Sequence, residues 1–395
     1  MSLPPLILKK NEDRRLRAGH LWVFSNEVDV ERTPLTGFTP GDVVEIRAHN
    51  EHFIGSGYVN PNSLICARIL SRDERHPPDS SLLVHRLNVA LSLRARLYPG
   101  PFYRLLFGES DGLPGLVVDR YGEVLVTQIT TAGMENMKDD IVAALVKVLK
   151  PAGILFRNDT GIRELEGLPL YTGTVHGSVP ETISVEEHGR RFEVSLTGGQ
   201  KTGWFFDQHD NRARLARYVA GRRVLDVFSY VGAWGIQALA YGAREALCVD
   251  SSAPALALAQ HNAALNSVQL GVREADAFEA LRDLHAAGEK FDVVILDPPA
   301  FVKRKKDLAA GRDAYRRLNQ LGMQLLERDG LLISCSCSHH LPAEELLAAI
   351  QAGARHLDRE AQVLERGGQA ADHPVHPAIP ETEYLKAFFV RVVQS

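Results

Sequence analysis

Four acids and one thiol stand where chemistry can be assembled: Asp226, Asp250, Asp276, Asp297 and Cys337. Each lies in or just after a short apolar run. In an open α/β sheet, ligands bind outside the carboxyl ends of the strands, so residues at strand ends share one crevice. The stretch RRVLDVFSYVGAWGIQALAYGAREALCVD, residues 222 to 250, forms its first corner. Val224, Leu225, Val227 and Phe228 make a strand, Ser229 and Gly232 a small-residue turn, and Ile236, Leu239 and Ala240 recur at helical spacing. A second strand, Ala246 to Val249, ends on Asp250. The backbone at Gly232 can approach a ligand closely, and Asp250 can accept from both hydroxyls of a ribose, which points to a nucleoside cofactor. The spacing departs from G-x-G-x-x-G, which disfavours a dinucleotide, and no G-x-x-x-x-G-K-[ST] loop exists to cradle a triphosphate.

What remains, D-x-F-x-x-x-G, resembles the turn of class I S-adenosylmethionine (SAM) methyltransferases; an ordinary α/β turn is the bland alternative. On this reading Asp226, Phe228, Ser229, Gly232, Asp250 and Ser251 line the cofactor, Asp276 and Ala277 meet its adenine, and Phe206 covers it. FDVVILDPPAF sets Asp297 at a strand end, and Pro298-Pro299 hold the next residues rigid; a turn or helix cap is its structural alternative. In LLISCSCSHH, Cys335 and Cys337 alternate onto one face, with Cys337 nearer the open end. Most cysteines are buried and inert, but this position favours Cys337 as a nucleophile over Cys335. Alternating cysteines followed by His339 and His340 do not match usual zinc spacings, so no metal is expected.

A thiol has a clear use beside a methyl donor. Carbon 5 of a pyrimidine is a poor nucleophile until a thiolate adds to carbon 6 and pushes electron density onto it. Asp297 can share a proton with N3 as charge develops there. The run Lys303, Arg304, Lys305, Lys306, with Arg312, Arg316 and Arg317 beyond it, follows Asp297 directly. Charge runs are often only solvated surface, but next to a nucleobase site they suit an RNA-facing loop. GGQKTGWFFDQHDNR, residues 198 to 212, is either a lid or a set of aromatics packing the sheet.

The elements that must position these residues read as a mostly parallel sheet with right-handed crossovers, its strands at Val224, Ala246, Phe291, Leu331 and Lys386. The last, YLKAFFVRVV, suits an edge strand entering antiparallel. The helix before LLISCSCS is expected to end in Glu327 to Gly330. Upstream, GDVVEIRAHN, HFIGSGYVNP and LICARIL have the rhythm of a small β-barrel, and Arg75 to Pro78 that of a linker. Residues 80 to 97 suit a helix; a hairpin turning at Tyr121-Gly122, a helix in MKDDIVAALVKVL and a strand in GILFRND make a small α/β module ending near Gly173. A further hairpin turns at His188-Gly189. The division expected is residues 1–78, 79–187 and 188–395.

The 395 residues are 45% apolar and 24% charged, an ordinary globular balance, and no apolar run approaches the roughly 18 residues of a membrane helix. Four scattered cysteines make no disulfide framework, so a cytoplasmic location is expected. A net charge of -4 excludes a globally basic nucleic-acid binder; local patches must supply any field for phosphates. One such patch, KKNEDRRLRAGH, carries Lys9, Lys10, Arg14 and Arg15.

Together, residues 198 to 212, VLDVFSYVGAWG, FDVVILDPPAFV, Ser336-Cys337-Ser338, QAADHPV and YLKAF resemble the bacterial large-subunit (23S) ribosomal RNA cytosine-5 methyltransferase family, the RlmI type. The resemblance spans nearly the whole chain. It implies a Rossmann-like class I sheet, an N-terminal PUA-type RNA-binding barrel and a small central α/β domain. It further implies SAM as methyl donor, Cys337 as nucleophile and large-subunit rRNA as substrate; a homodimer is compatible with it. Other RNA cytosine-5 methyltransferases have a second cysteine after the two prolines; Ala300 stands there, as in the RlmI type, so the base that takes the carbon 5 proton is not identified. Rival readings are an exocyclic-amine methyltransferase, opposed by Ala300 where an aromatic is needed, a guanine methyltransferase, which needs no Cys337, and a non-catalytic RNA-binding assembly factor.

Overall fold

The structure, a computed structural model, describes residues 3–394 except 197 and 199–201. The chain divides into two compact units. One comprises Met1–Ile183, Ser195–Phe206 and Asp372–Thr382; the other comprises Ser184–Val194, Asp207–Ala371 and Glu383–Ser395.

The second unit is built on a seven-stranded sheet, whose strands alone are numbered here. They are β1 (Arg223–Val227), β2 (Glu245–Asp250), β3 (Gly271–Glu274), β4 (Phe291–Leu296), β5 (Leu326–Ser336), β6 (Arg359–Gly368) and β7 (Lys386–Gln394). Their order is β3-β2-β1-β4-β5-β7-β6, and β7 runs antiparallel to both its neighbours. Helices α1 (Ala233–Ala240), α2 (Ala253–Leu265), α3 (Ala277–Ala286), α4 (Leu308–Gln324) and α5 (Ala343–His356) connect and cover it. The order reverses between β1 and β4, which opens a crevice at their carboxyl ends.

The central strands read as continuous apolar runs because both faces are buried. Alternate residues divide between the faces: Val294, Leu296 and Leu332 pack with Tyr315 and Leu318 of α4, while Val293, Ile295, Ile333 and Cys335 pack with Trp234 and Ala238 of α1. The hairpin Thr182–Glu187 and Arg190–Ser195 turns at His188-Gly189. Its Glu187 forms a fork-to-fork pair with Arg212 at 2.5 and 2.7 Å, with both side chains buried. That pair holds the short helix His209–Ala213, which begins one residue after Gln208.

In the first unit, five strands within residues 5 to 71 form a sheet, and a bridge between Leu8 and Val28 ties the chain beyond one edge to the chain beyond the other. A second five-stranded sheet runs from Phe102 to Gly177, with helices Ser80–Leu97 and Lys138–Leu149 packed on it. Tyr58 of the first sheet donates to the carbonyl of Pro114, 2.7 Å away, which locks the two sheets together. No helix among the described residues is long and apolar enough to cross a membrane.

Several elements differ from expectation. YLKAFFVRVV is antiparallel but internal, because β6 lies outside it. REAQVLERGG is largely polar and exposed, so nothing in its pattern announces a strand; an edge strand with solvent around it needs no apolar alternation. Glu327 to Gly330 belong to β5, not to the preceding helix, which ends at Gln324. The four-residue β3 and the strands Phe102–Phe107 and Tyr171–Gly177 also escape the sequence, and the last carries the central module past Gly173.

The Glu187 and Arg212 pair gives a direct test of how the hairpin is held. Burial pushes the Glu187 carboxyl up, but the guanidinium leaves it below its usual range, so its stabilisation is present at neutral pH and lost as pH falls through that lowered value. Glu187→Gln leaves Arg212 buried without its counter-charge, and denaturant unfolding at pH 7 should show a loss of about 3–5 kcal/mol.

Candidate functional site

The first wall is the turn after β1. Phe228 and Tyr230 have φ of 65° and 50°, and Gly232 has 81°, so three of five consecutive residues are left-handed. Non-glycine residues hold that conformation only where the surroundings over-determine it. Here the Phe228 and Ser229 N–H groups donate to the Val249 carbonyl at 2.9 and 3.1 Å, and the Tyr230 N–H donates to Asp250 at 2.9 Å. The other Asp250 oxygen accepts from the Ser252 N–H. A Cβ at Gly232 would stand 3.0 Å from that of Ala259.

Asp226 is fully buried, and one of its oxygens accepts from the Gly235 N–H at 3.0 Å. Its other oxygen has no hydrogen-bond partner among the described residues. Burial pushes the carboxyl up to about 7. A buried acid with one oxygen unpartnered among the described residues, beside a left-handed turn tied to Asp250, fits a polar nucleoside ligand such as SAM.

The second wall lies at the ends of β4 and β5. Both Asp297 oxygens are 3.0 Å from Nε2 of Gln208, and one also accepts from Nε1 of Trp234 at 3.0 Å. Gln208 is oriented in turn by Asn211, whose amide donates to its Oε1 at 2.8 Å. Burial raises Asp297 to about 6, with the Trp234 hydrogen bond opposing. Cys337 comes immediately after β5, half-buried, with Sγ 3.9 Å from the carbonyl oxygen of Pro298. Cys335 is sealed within the sheet, and burial first, then the Asp297 charge, push its thiol well above the ordinary value. The two cysteines thus have opposite prospects.

Cys337 is fixed through its neighbours. The Tyr315 hydroxyl lies 2.8 Å from Ser336 Oγ and 2.9 Å from Ser338 Oγ, and Ser338 Oγ accepts from the Val302 N–H at 3.1 Å. The serines on either side of the thiol are therefore anchored on one phenol from α4. Phe301 packs on Tyr315 with ring centroids 4.8 Å apart and also meets Phe228 and Phe278 at 6.4 and 6.3 Å. One aromatic cluster joins the turn, the start of α3 and the anchor of the thiol.

The remaining expected residues fall as follows. Asp276 is exposed and caps α3, accepting from the N–H groups of Phe278 and Glu279, while Ala277 is buried beneath it. Ser251 is exposed just beyond β2. Phe206 is buried against Tyr121 in the first unit, with ring centroids 5.2 Å apart. In the stretch 198 to 212, Trp204, Phe206, Asn211 and Arg212 are all buried, and residues 199–201 lie outside the described residues. Lys303, Arg304, Lys305 and Lys306 are exposed, with Arg304 paired to Asp307 at 3.0 Å. Lys9, Lys10 and Arg14 are exposed, but Arg15 is committed to Glu27 at 2.8 Å and to the Trp22 carbonyl. Gln208, Trp234 and Tyr315 were not singled out from the sequence. Only the Ser-Cys-Ser symmetry around the thiol hinted that its neighbours matter.

A nucleoside turn after β1, an acid after β4 and a reversed last strand define a class I methyltransferase. Residues 171–391 match the family described as S-adenosylmethionine-dependent methyltransferase, and residues 6–72 match the PUA-like domain. A protein of Aliivibrio fischeri named ribosomal RNA large subunit methyltransferase I is 39% identical over 98% of this chain and 99% of its own. Its namesake in Salmonella arizonae is 38% identical over 99% and 98%. The chain belongs to this family of SAM-dependent methyltransferases. Among solved structures, a SAM-dependent methyltransferase from Streptococcus mutans shares the fold with a TM-score of 0.82 at 20% identity, over 98% of this chain and all of that one. A methyltransferase solved with SAH has a TM-score of 0.84 at 21% identity over the same shares.

Burial separates the four thiols: Cys66, Cys248 and Cys335 are buried, and Cys337 is half-exposed. Brief treatment of the native protein with N-ethylmaleimide, read by peptide mass spectrometry, should label Cys337 and leave the others until denaturant is added.

Proposed function

We propose that the protein methylates carbon 5 of a cytosine in large-subunit rRNA, using SAM and a Cys337 thiolate that adds to carbon 6. The observation that carries this reading is the contrast at the end of β5: Cys337 is accessible beside the Asp297 end of β4, while Cys335 two residues earlier is sealed. SAM, when bound, supplies an electrophilic methyl group on its sulfonium. The turn Phe228, Ser229 and Gly232, with Asp250 and Ser251, would hold it, with Asp276 and Ala277 toward its base. Asp226, which already anchors the Gly235 N–H, would hold the turn in shape.

Cys337 forms a bond to carbon 6, and the electron pair of the carbon 5 to carbon 6 double bond moves toward carbon 5 and N3. Asp297, steadied by Gln208 and Trp234, shares a proton with N3 as the charge develops. After the methyl group is on carbon 5, loss of that carbon's proton restores the double bond, and the sulfur leaves as thiolate. The reading favours cytosine chemistry over exocyclic amines because Ala300 follows Pro299, while Phe301 is occupied by Tyr315.

In this proposal residues 1–78 are an RNA-binding barrel, 79–187 a central domain and 188–395 the catalytic domain, acting in the cytoplasm on rRNA. The names of the curated relatives and the PUA-like match support the substrate class. Exposed Lys9, Lys10 and Arg14 on the barrel, and Lys303, Arg304, Lys305 and Lys306 near the site, supply charge for phosphates.

Labelled methyl transfer to unmodified large-subunit rRNA tests the mechanism. Cys337→Ala should lose activity by at least about a thousandfold while calorimetry shows unchanged SAM affinity, and Cys335→Ala should stay active. An active Cys337→Ala enzyme would exclude the thiolate route. The pH profile of kcat/KM tests Asp297 separately. The profile rises as thiolate forms, but the protonated fraction of Asp297 falls above its pKa, so the rise should flatten near pH 6; in Asp297→Asn it should continue past that point.

A further inference from the structure

Lys386 opens β7. Its Cα pairs with that of Ser336 across β5, one residue before Cys337, and with Gly368 across β6. Its Nζ donates to the carbonyl of Ser338 at 2.7 Å, one residue after Cys337, and to that of Tyr384 at 2.9 Å. An ammonium has three donors: one is fixed on the backbone next to the thiol and one on the Lys386 side at Tyr384, which leaves a third donor with the whole charge. The side chain is half-buried, where salt screens charges weakly. Burial lowers Lys386 to about 8, while Cys337 first and Glu383 second pull it upward. Attraction between an ammonium and a thiolate is mutual, so the same interaction favours ionised Cys337.

Other ionisable groups stand around the thiol. Asp297 approaches from the end of β4, and Asp207 from the segment before His209–Ala213, where its carboxylate accepts from the Tyr384 hydroxyl at 2.5 Å. Glu383 precedes β7, and the Tyr315 phenol of α4, bonded to the serines on either side of Cys337, is pushed up to about 12 by burial. His339 and His340 follow Cys337 and are exposed. Arg212 is committed to Glu187. Carboxylates oppose a thiolate, so a cation held beside this thiol favours its ionised form.

We infer that Lys386 is the positioning cation of Cys337: held on the carbonyls of Ser338 and Tyr384, its ammonium keeps the sulfur as a thiolate before the pyrimidine arrives and after the product leaves. The S–H proton passes to solvent water, both bonding electrons stay on sulfur, and no bond to Lys386 changes. This rests on Cys337 as the nucleophile of the proposed methyl transfer, but its test needs no turnover.

The rate of Cys337 alkylation by iodoacetamide is measured against pH on the full chain, without RNA or SAM, by peptide mass spectrometry. In the wild type the midpoint should lie below the ~8.5 of a free cysteine. Lys386→Gln keeps a donor toward the Ser338 carbonyl but removes the charge; its midpoint should rise by about one pH unit or more, with the rate at pH 7 falling about tenfold. Lys386→Arg should restore most of the difference. A Gln variant with the wild-type midpoint overturns the inference. So does a wild-type midpoint at or above ~8.5, which decides the matter even if the Gln variant does not fold. Methyl transfer by Cys337→Ala separates the two failures: an inactive Cys337→Ala enzyme with an unmoved alkylation midpoint removes Lys386 alone, whereas an active one removes the mechanism.

Discussion

The hydroxyl of Tyr315, shared between Ser336 and Ser338, is the contact on which the site depends. β5 is buried on both faces, and a chain leaving such a strand has no intrinsic reason to hold one side chain half-exposed in a fixed direction. Anchoring the residues on both sides of Cys337 to one phenol removes that freedom. Because the phenol belongs to α4 and packs on Phe301, the direction of the thiol is tied to the segment after Asp297 and, through Phe228, to the turn after β1.

The same few ångströms separate the ionisable groups by environment. Two carboxyls are raised by burial, Asp226 to about 7 and Asp297 to about 6, but for different ends. Asp226 spends one oxygen on Gly235 inside the turn, and the other has no hydrogen-bond partner among the described residues. Asp297 is supplied with donors by Gln208 and Trp234 and stands at the strand end, where a titrating carboxyl is useful. The cysteines divide similarly: the sheet keeps Cys335 neutral, and Cys337, with Lys386 held on its neighbour's carbonyl, is free of that constraint.

The cost of this arrangement is local strain and buried charge. Phe228 and Tyr230 are left-handed without being glycine, and the Glu187 and Arg212 pair is enclosed. Both belong to elements that hold the site. Such departures from unstrained, apolar packing are characteristic of functional regions.

The sequence by itself determined the large features, for identifiable physical reasons. Short apolar runs at Val224, Phe291 and Leu331, bounded by turn residues, fit strands buried on both faces, and in a doubly wound sheet acids or a thiol at their ends gather along one edge. The D-x-F-x-x-x-G turn, Asp297 and Cys337 were legible on that basis. The internal position of β7 was not, because β6 is polar and exposed and carries no periodic signal. Nor were Gln208, Trp234, Tyr315 and Lys386 legible as partners of the site. Each reaches its partner across at least 20 residues, and a hydrogen bond between distant positions leaves no spacing pattern in the chain. Local pattern thus chose the acids and the thiol, while only tertiary packing decided which acid has donors, which thiol is accessible and which cation stands beside it.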